Sequence, residues 1–297
     1  MNWRTPWALP GQWYRGTLHF HTTEADGALE PAAAVAWYRE HGYHFAAITD
    51  HNKVTDAGGA SDDAFLLLSG IELSAGRSEV GGDLHVLGLG IDPAAGFEPA
   101  ATLQAAIDAI RAAGGEAIVA HPYLSGATLA ELLPLHGHLG IEVFNAHAEE
   151  SKAQGLSAVH WDELSARGQR LWGLGVDDAH WRKPDHGQAW IVLKARRLER
   201  DSILQALRLG HFYATTGPRI IGMEVREEVV HVTCSSCATI SFVCDNWRGR
   251  RFRADGPAGI ARAEFTPPAD ARYVRVECVD RQGKVAWSNP LFWAAGK

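Results

Sequence analysis

What this 297-residue chain lacks narrows its class before any motif is read. It has no run of ~18 apolar residues able to cross a membrane as a helix. Its opening, Met1-Asn2-Trp3-Arg4-Thr5-Pro6-Trp7, has no apolar core of the signal-peptide kind. Both absences point to a soluble, cytoplasmic protein with no membrane partner. It also has no long basic run, and its net charge is -7. An extended nucleic-acid footprint needs a basic stripe, so a small-molecule substrate is expected, an anionic one if metal ions hold it. Internal repeats and low-complexity segments are missing too. Nothing in the sequence sets the oligomeric state.

Cysteine is absent until late in the chain: Cys234, Cys237, Cys244 and Cys278 are the four. Cys234-Ser235-Ser236-Cys237 has half of a zinc-ribbon spacing. Val230-Val232-Cys234, Ile240-Phe242-Cys244 and Val274-Val276-Cys278, however, alternate with mostly polar residues. This places those three thiols on the apolar faces of strands as small core residues. Cys237 fits neither pattern.

Up to about residue 220, apolar runs alternate with helical segments. Gly16-Thr17-Leu18-His19, Phe45-Ala46-Ala47-Ile48, Ala64 to Leu68, Asp83 to Leu87, Ala117 to Ala120, Ile141 to Phe144, Leu171 to Val176 and Trp190 to Leu193 have the look of strands. Helices are expected from Pro31 to Gly42, Ala101 to Ala113, Lys152 to Ala166 and Asp201 to Leu209. The apolar runs suit buried parallel strands, and most end in a histidine or carboxylate. Functional groups collect at strand ends in a barrel-type α/β fold. An open doubly wound sheet is the alternative, but its single crevice would gather residues from fewer strands. After Gly217-Pro218 the helical signal stops. Short alternating segments follow (229–233, 239–244, 261–265 and 273–279), separated by turns such as Asp245-Asn246 and Asp255-Gly256. They predict a small antiparallel β-sandwich domain over residues 221–297, behind a larger domain over 1–220.

The strand-end residues are His19, His21, Asp26, His51, Glu72, His85, His121, Asp178 and His180. His19 and His21, two apart in extended backbone, point the same way. Each residue alone has a duller explanation: a hydrogen-bonded core histidine, a strand terminator, a solvated loop acid. Together they form a set of imidazoles and carboxylates suited to Zn²⁺, Mn²⁺ or Fe²⁺. Nine donors exceed one tetrahedral site. They suit two or three divalent ions with a bridging carboxylate, a cluster that at spacings of ~3.5–4 Å activates water and clamps a phosphoryl or carbonyl oxygen. The other histidines, among them His41, His44, His136, His138, His160 and His231, are placed as structural or surface residues. His147 and His186 lie in loops able to rim the site.

Leu18-His19-Phe20-His21, Asp26-Gly27, Thr49-Asp50-His51-Asn52, Gly70-Ile71-Glu72, His85, Ala120-His121-Pro122 and Asp178-Ala179-His180 together resemble the motif set of the PHP (polymerase and histidinol phosphatase) superfamily. The likeness covers residues 14 to 220, with all nine positions in the family's order. Trp13-Tyr14-Arg15-Gly16, Gly210-His211-Phe212-Tyr213, Gly217-Pro218 and Ala286-Trp287-Ser288-Asn289-Pro290 make it look like the CehA/McbA branch of metallohydrolases. The resemblance implies a distorted (β/α)7 TIM-like barrel. It implies a first metal on His19, His21, Glu72 and Asp178, and a second on Glu72, His85 and His121. A third would lie on Asp26, His51 and His180, with Asp26 standing where some relatives have histidine. Asp50 would orient a ligand histidine, and Asp177 fits no slot.

That family points to a phosphoesterase acting on a small phosphorylated metabolite or nucleotide through metal-bound hydroxide. Glu72, Asp178 and His180 would be its catalytic residues, with His180 or a third metal helping the leaving oxygen. The same centre would also serve a carbamate, ester or amide hydrolase. A non-catalytic metal-stabilised binding module is the third possibility. Arg77, Arg182 and Lys183 are candidate phosphate contacts, and Trp181 and Trp190 candidate walls for an apolar leaving group.

Overall fold

The computed structural model describes residues 5–245 and 247–292. Met1 to Arg4 of the opening segment, and Asn246 of the Asp245-Asn246 turn, lie outside them. The fold is mixed α/β with several sheets. Among the described residues no helix is long and apolar enough to cross a membrane.

The first part of the chain runs β1 (Gln12–Thr17), α1 (Pro31–Glu40), β2 (Phe45–Ala47), β3 (Leu66–Leu68), β4 (Gly70–Arg77) and β5 (Asp83–Leu89). It continues through α2 (Leu103–Ala112), β6 (Glu116–Val119), α3 (Leu129–Leu132), β7 (Gly140–Asn145), α4 (Ala146–Lys152) and α5 (Ala158–Ala166). β8 (Trp172–Val176), β9 (Trp190–Ala195), α6 (Arg200–Arg208) and β10 (Phe212–Thr215) complete it. Local chemistry sets several boundaries. Pro31 opens α1 at its first turn, where a missing N–H costs nothing. The Thr102 hydroxyl accepts from Ala105 N and starts α2, and Thr128 with Glu131 forms a capping box on α3. Leu103, Ala106, Ile107 and Ile110 recur at helical spacing on α2 and bury it against β4, β5 and β6.

Two expectations need correction. The strands are not all parallel. β1–β2–β3 and β6–β7–β8 are, but β4–β5 and β5–β6 are antiparallel, and β9 runs antiparallel to both β1 and β10. β4 and β5 are joined by a short turn without a helix, so the chain reverses at once. As a result Glu72 and His85 lie inside strands, each third in its own. The helix expected from Lys152 to Ala166 begins only at Ala158, as α5, and Lys152 is instead the last residue of the preceding α4. Ala153 takes a left-handed conformation (φ 56°) that ends α4, and the Cβ of any residue at Gly155 would collide with the Asn145 carbonyl.

Beyond residue 220 the strands are β11 (Ile220–Arg226), β12 (Val229–Cys237), β13 (Thr239–Cys244), β14 (Arg248–Arg253), β15 (Ile260–Phe265), β16 (Tyr273–Val279), β17 (Val285–Ser288) and β18 (Leu291–Phe292). All their pairings are antiparallel, and one sheet of β11, β12 and β15 shares a core with β13 and β16. All four cysteines are buried free thiols in that core. Cys237 joins them because the β12–β15 register shifts between Thr233 and Cys237. The bulge carries a residue that simple alternation puts outside onto the inner face.

Strands from both sides of residue 220 hydrogen-bond in one sheet, ordered β14-β13-β16-β17-β10-β9-β1-β2-β3. Side chains reinforce the junction. The Asn289 carbonyl accepts from Gly173 N, and its amide donates to the Gly210 and Phe212 carbonyls, tying β8 and β10 to the segment after β17. Arg275 on β16 is buried and forms a bidentate pair with Asp162 of α5 at 2.7 and 2.6 Å. Its third nitrogen reaches Glu277 at 2.7 Å, and Tyr273 Oη donates to the same Asp162 at 2.9 Å.

A buried histidine remote from the strand-end set gives a testable acid response. His138, in the turn before β7, is buried with Nδ1 unpartnered. Burial, helped by the charge of His136, lowers its pKa to about 4. The unfolded chain protonates near the ordinary histidine value, so stability is complete above that pH and falls as pH drops toward 4. The expected loss is roughly 3 kcal/mol across that window. Urea unfolding at pH 7 and pH 4 is expected to show a smaller pH-dependent drop in His138→Gln than in the parent protein, and an equal drop would refute the assignment.

Candidate metal centre

β1 runs out into Leu18 to His21, and this extension lies beside the end of β8. Asp178 N donates to the His19 carbonyl and His21 N to the Ala179 carbonyl, both at 2.9 Å. The first histidine pair and the last aspartate are thereby set face to face. On the other side, Asn52 N donates to the Glu72 carbonyl at 2.9 Å, which fixes His51 against β4. Asn52, His121 and Asp178 all have positive φ (54°, 24° and 54°), backbone strain of the kind that gathers at functional sites.

All nine sequence-derived positions meet in one place. Glu72, fully buried, faces the ring nitrogens of His19, His21, His51, His85 and His121 at 2.9 to 3.3 Å. Asp178 Oδ1 lies 3.2 Å from His19 Nε2 and 3.0 Å from His21 Nε2. Asp26 Oδ2 is 3.3 Å from His180 Nε2 and 3.8 Å from His51 Nε2. Donor atoms of His21, Asp26, His51 and His180 lie within 4.8 Å of one another, as do those of His19, His21 and Glu72, and those of His51, Glu72 and His85.

This donor set fits divalent ions. A carboxylate has lone pairs for a few donors, not for five imidazoles, and a neutral ring presents a lone pair on one nitrogen. His21 Nδ1 is buried without a hydrogen-bond partner. A cation among these atoms turns clashing lone pairs into ligands. Without one, the centre draws in protons. Burial pushes the His19 and His21 imidazoles down, but Asp178, Glu72 and, for His19, Glu142 outweigh it and raise both, His21 to about 10. Burial raises Glu72 and Asp178, but the facing histidines overcome it and hold both carboxyls below the usual range. His180 draws Asp26 down in the same way.

A further layer of residues escaped the sequence reading. Glu142 of β7, fully buried, accepts from His19 Nδ1 at 2.5 Å, from His121 N at 2.8 Å and from the Asn145 amide at 2.8 Å. Asn145 also donates to Asp178 Oδ2 at 3.0 Å. The Ser125 hydroxyl lies 3.0 Å from His121 Nδ1. The available signal was a lone carboxylate in the apolar strand Ile141-Glu142-Val143.

Other expectations change. Asp50 does not orient a ligand histidine. It accepts from Thr22 N, Thr22 Oγ1 and Thr55 Oγ1 at 2.7, 2.6 and 2.5 Å, holding the loop after His21. Asp177, which fitted no slot, accepts from Tyr38 Oη and from Gly187 N, Gln188 N and Ala189 N, which anchors the loop before β9. The centre opens into a cavity of about 580 Å³, lined beside the metal-type residues by Arg77, Leu124, Ser125, His147 and Lys152. Arg182, Lys183, Trp181 and Trp190 do not line it. Trp181 packs on Phe20 and Tyr38 and donates to the His21 carbonyl, and Trp190 lies under Arg15.

No family model matches the chain. A curated protein, the 3',5'-nucleoside bisphosphate phosphatase of Chromobacterium violaceum, is 37% identical over 100 residues. The match spans 32% of this chain and 32% of that protein. Among solved structures, a two-domain protein from Bacteroides vulgatus containing a predicted PHP-like metal-dependent phosphoesterase aligns over 95% of this chain and 97% of its own. Its TM-score is 0.50 at 16% identity. The likeness over the whole chain is one of fold.

Proposed function

We propose that this chain is a PHP-type metal-dependent phosphoesterase of the CehA/McbA-like branch, hydrolysing a small phosphorylated metabolite or nucleotide. The observation that carries this reading is Glu72, a single buried carboxylate ringed by five imidazoles at the floor of an open, mostly polar cavity. The nucleoside bisphosphate phosphatase likeness supports a phosphoester substrate. We read residues 1–220 as a distorted (β/α)7 TIM-like barrel. The bridges Phe20–Ala179 and His51–Glu72 join its two sheets on the side of the centre. We read residues 221–297 as a β-sandwich domain, its described strands continuous with the barrel through the sheet from β14 to β3, and place the protein in the cytoplasm.

His19, His21, Glu72 and Asp178 would hold a first ion, Glu72, His85 and His121 a second, and Asp26, His51 and His180 a third, of zinc, manganese or iron. Bound there, such ions polarise a phosphoryl group and activate water. The chain does the positioning. Glu142 and Ser125 fix the His19 and His121 rings through their Nδ1 atoms, which leaves each Nε2 turned inward. His180 lines the cavity, with its Nδ1 bound to the Asp178 carbonyl, and would assist the leaving oxygen there. Lys152 at the rim adds positive charge for an anionic substrate, whereas Arg77 there is paired with Asp83 at 3.1 Å.

The test is a matched p-nitrophenyl panel on Mn²⁺-reconstituted protein: a phosphate monoester, a phosphodiester and a carbamate, with His121→Ala as blank. Phosphoester turnover that vanishes in the variant is expected. Carbamate turnover with inert phosphoesters would replace this reading with attack on carbon at the same centre.

A further inference from the structure

His147 stands outside the nine strand-end donors, yet it is held as they are. His19, His121 and His180 each have Nδ1 engaged by a fixed group: the Glu142 carboxylate, the Ser125 hydroxyl and the Asp178 carbonyl. In each the Nε2 atom is the one turned to the carboxylates. His147 repeats this arrangement. Its Nδ1 lies 2.9 Å from Oδ2 of Asp185, a fully buried carboxylate. Asp185 is itself fixed, accepting from His180 N at 3.1 Å and Trp181 N at 3.3 Å. A carboxylate in that position only accepts, so the His147 hydrogen resides on Nδ1 and the lone pair on Nε2.

The mount is rigid. His147 is the second residue of α4, whose N-cap Asn145 accepts from Ala148 N and donates to both Glu142 and Asp178. His147 N donates to the Asp177 carbonyl at 3.0 Å. The ring lines the cavity, is 24% exposed, and lies 4.3 Å, centroid to centroid, from His180. One donor atom from each of His147, His180 and Asp185 falls within 4.8 Å of the others. His180 therefore belongs to two donor groups, one with His21, Asp26 and His51 and one with His147 and Asp185.

We infer that His147, oriented by Asp185, is a further metal donor that shares with His180 and Asp26 the outermost of three ions. The inference rests on the metal-centre reading above and adds to it a donor and a positioning carboxylate. A tenth donor at the open side supplements Asp26, which is itself half exposed and the least enclosed of the nine. Carboxylate–histidine pairs of this kind raise the basicity of a ligand ring and fix its tautomer.

The experiment is Mn²⁺ titration of the stripped full-length protein by calorimetry, with bound ions counted by elemental analysis and folding followed by circular dichroism. The parent protein is expected to take up three ions. In His147→Ala the two tightest remain unchanged and the third weakens about ten- to a hundredfold. Asp185→Asn keeps the imidazole but frees its tautomer, and is expected to weaken only that same ion. His147→Gln serves as the second variant should the alanine protein fail to fold. A His147 variant that holds three ions at parental affinity overturns this inference alone, and a parent protein that saturates at two ions and hydrolyses phosphoesters overturns it together with the third ion of that reading. A parent protein that binds no Mn²⁺ overturns the metal-centre reading beneath it.

Discussion

Glu72→Gln is expected to abolish tight binding of the two inner ions and to lower phosphoester turnover about a thousandfold or more. Glutamine keeps the shape and removes the charge, so the loss isolates the bridging role. No other side chain in the centre approaches so many ring nitrogens, and Glu72 is fully buried. The checks are kcat on the best p-nitrophenyl phosphoester, ions per protein by elemental analysis, and the far-ultraviolet dichroism spectrum. The spectrum is expected to hold, because Glu72 supports β4 through its backbone rather than its side chain. A variant with two tightly bound ions and parental kcat would refute the site. His121→Ala and Asp178→Ala are expected to lose activity in the same way, each removing a ligand from one side of the bridge.

The second large effect lies far from the centre. Arg275→Met is expected to destabilise the protein by about 3–5 kcal/mol, because it strands the Asp162 carboxylate in the interior. Asp162 would keep one donor, Tyr273 Oη, where it had a charged fork as well. The double variant Arg275→Met/Asp162→Leu is expected to recover most of that loss, since an apolar pair of similar volume avoids the buried charge altogether. Urea unfolding of the single and double variants measures this. If Arg275→Met unfolds within about 1 kcal/mol of the parent protein, the pair behaves like an exposed one and the clamp is not a main tie between β16 and α5.

The nine positions that meet at the centre stood out in the sequence because most of them close or sit within a short apolar run, and because no cysteine lies in that part of the chain. What supports them did not. Glu142 looks like an odd acid in a strand, and only the fold reveals His19 and His121 on either side of its carboxylate. His147 looks like any loop histidine until Asp185, 38 residues on, reaches its Nδ1. Strand direction was misread at β4 and β5, since periodicity reports burial and is blind to whether the chain turns back at once. β14, with four arginines in six residues, shows no alternation at all and owes its strand to the β13 ladder. The bulge that buries Cys237 is a property of pairing, not of the residue. The Arg275–Asp162 pair joins positions 113 apart, a separation at which local pattern carries no information.

The Asn289 tie also sets an order in time. Gly173 on β8, three residues before the strand's end, waits for a side chain 116 positions later in the chain. Until β17 arrives, β10 offers an open edge where its partner will lie, an invitation to pairing with another chain. During synthesis, then, the strand leading to Asp178 emerges long before the residues that brace it. Contacts of such long sequence separation form slowly. Maturation of the centre is therefore expected to be a late event in biogenesis, and nascent chains halted between β10 and β17 to be the ones that chaperones must shelter.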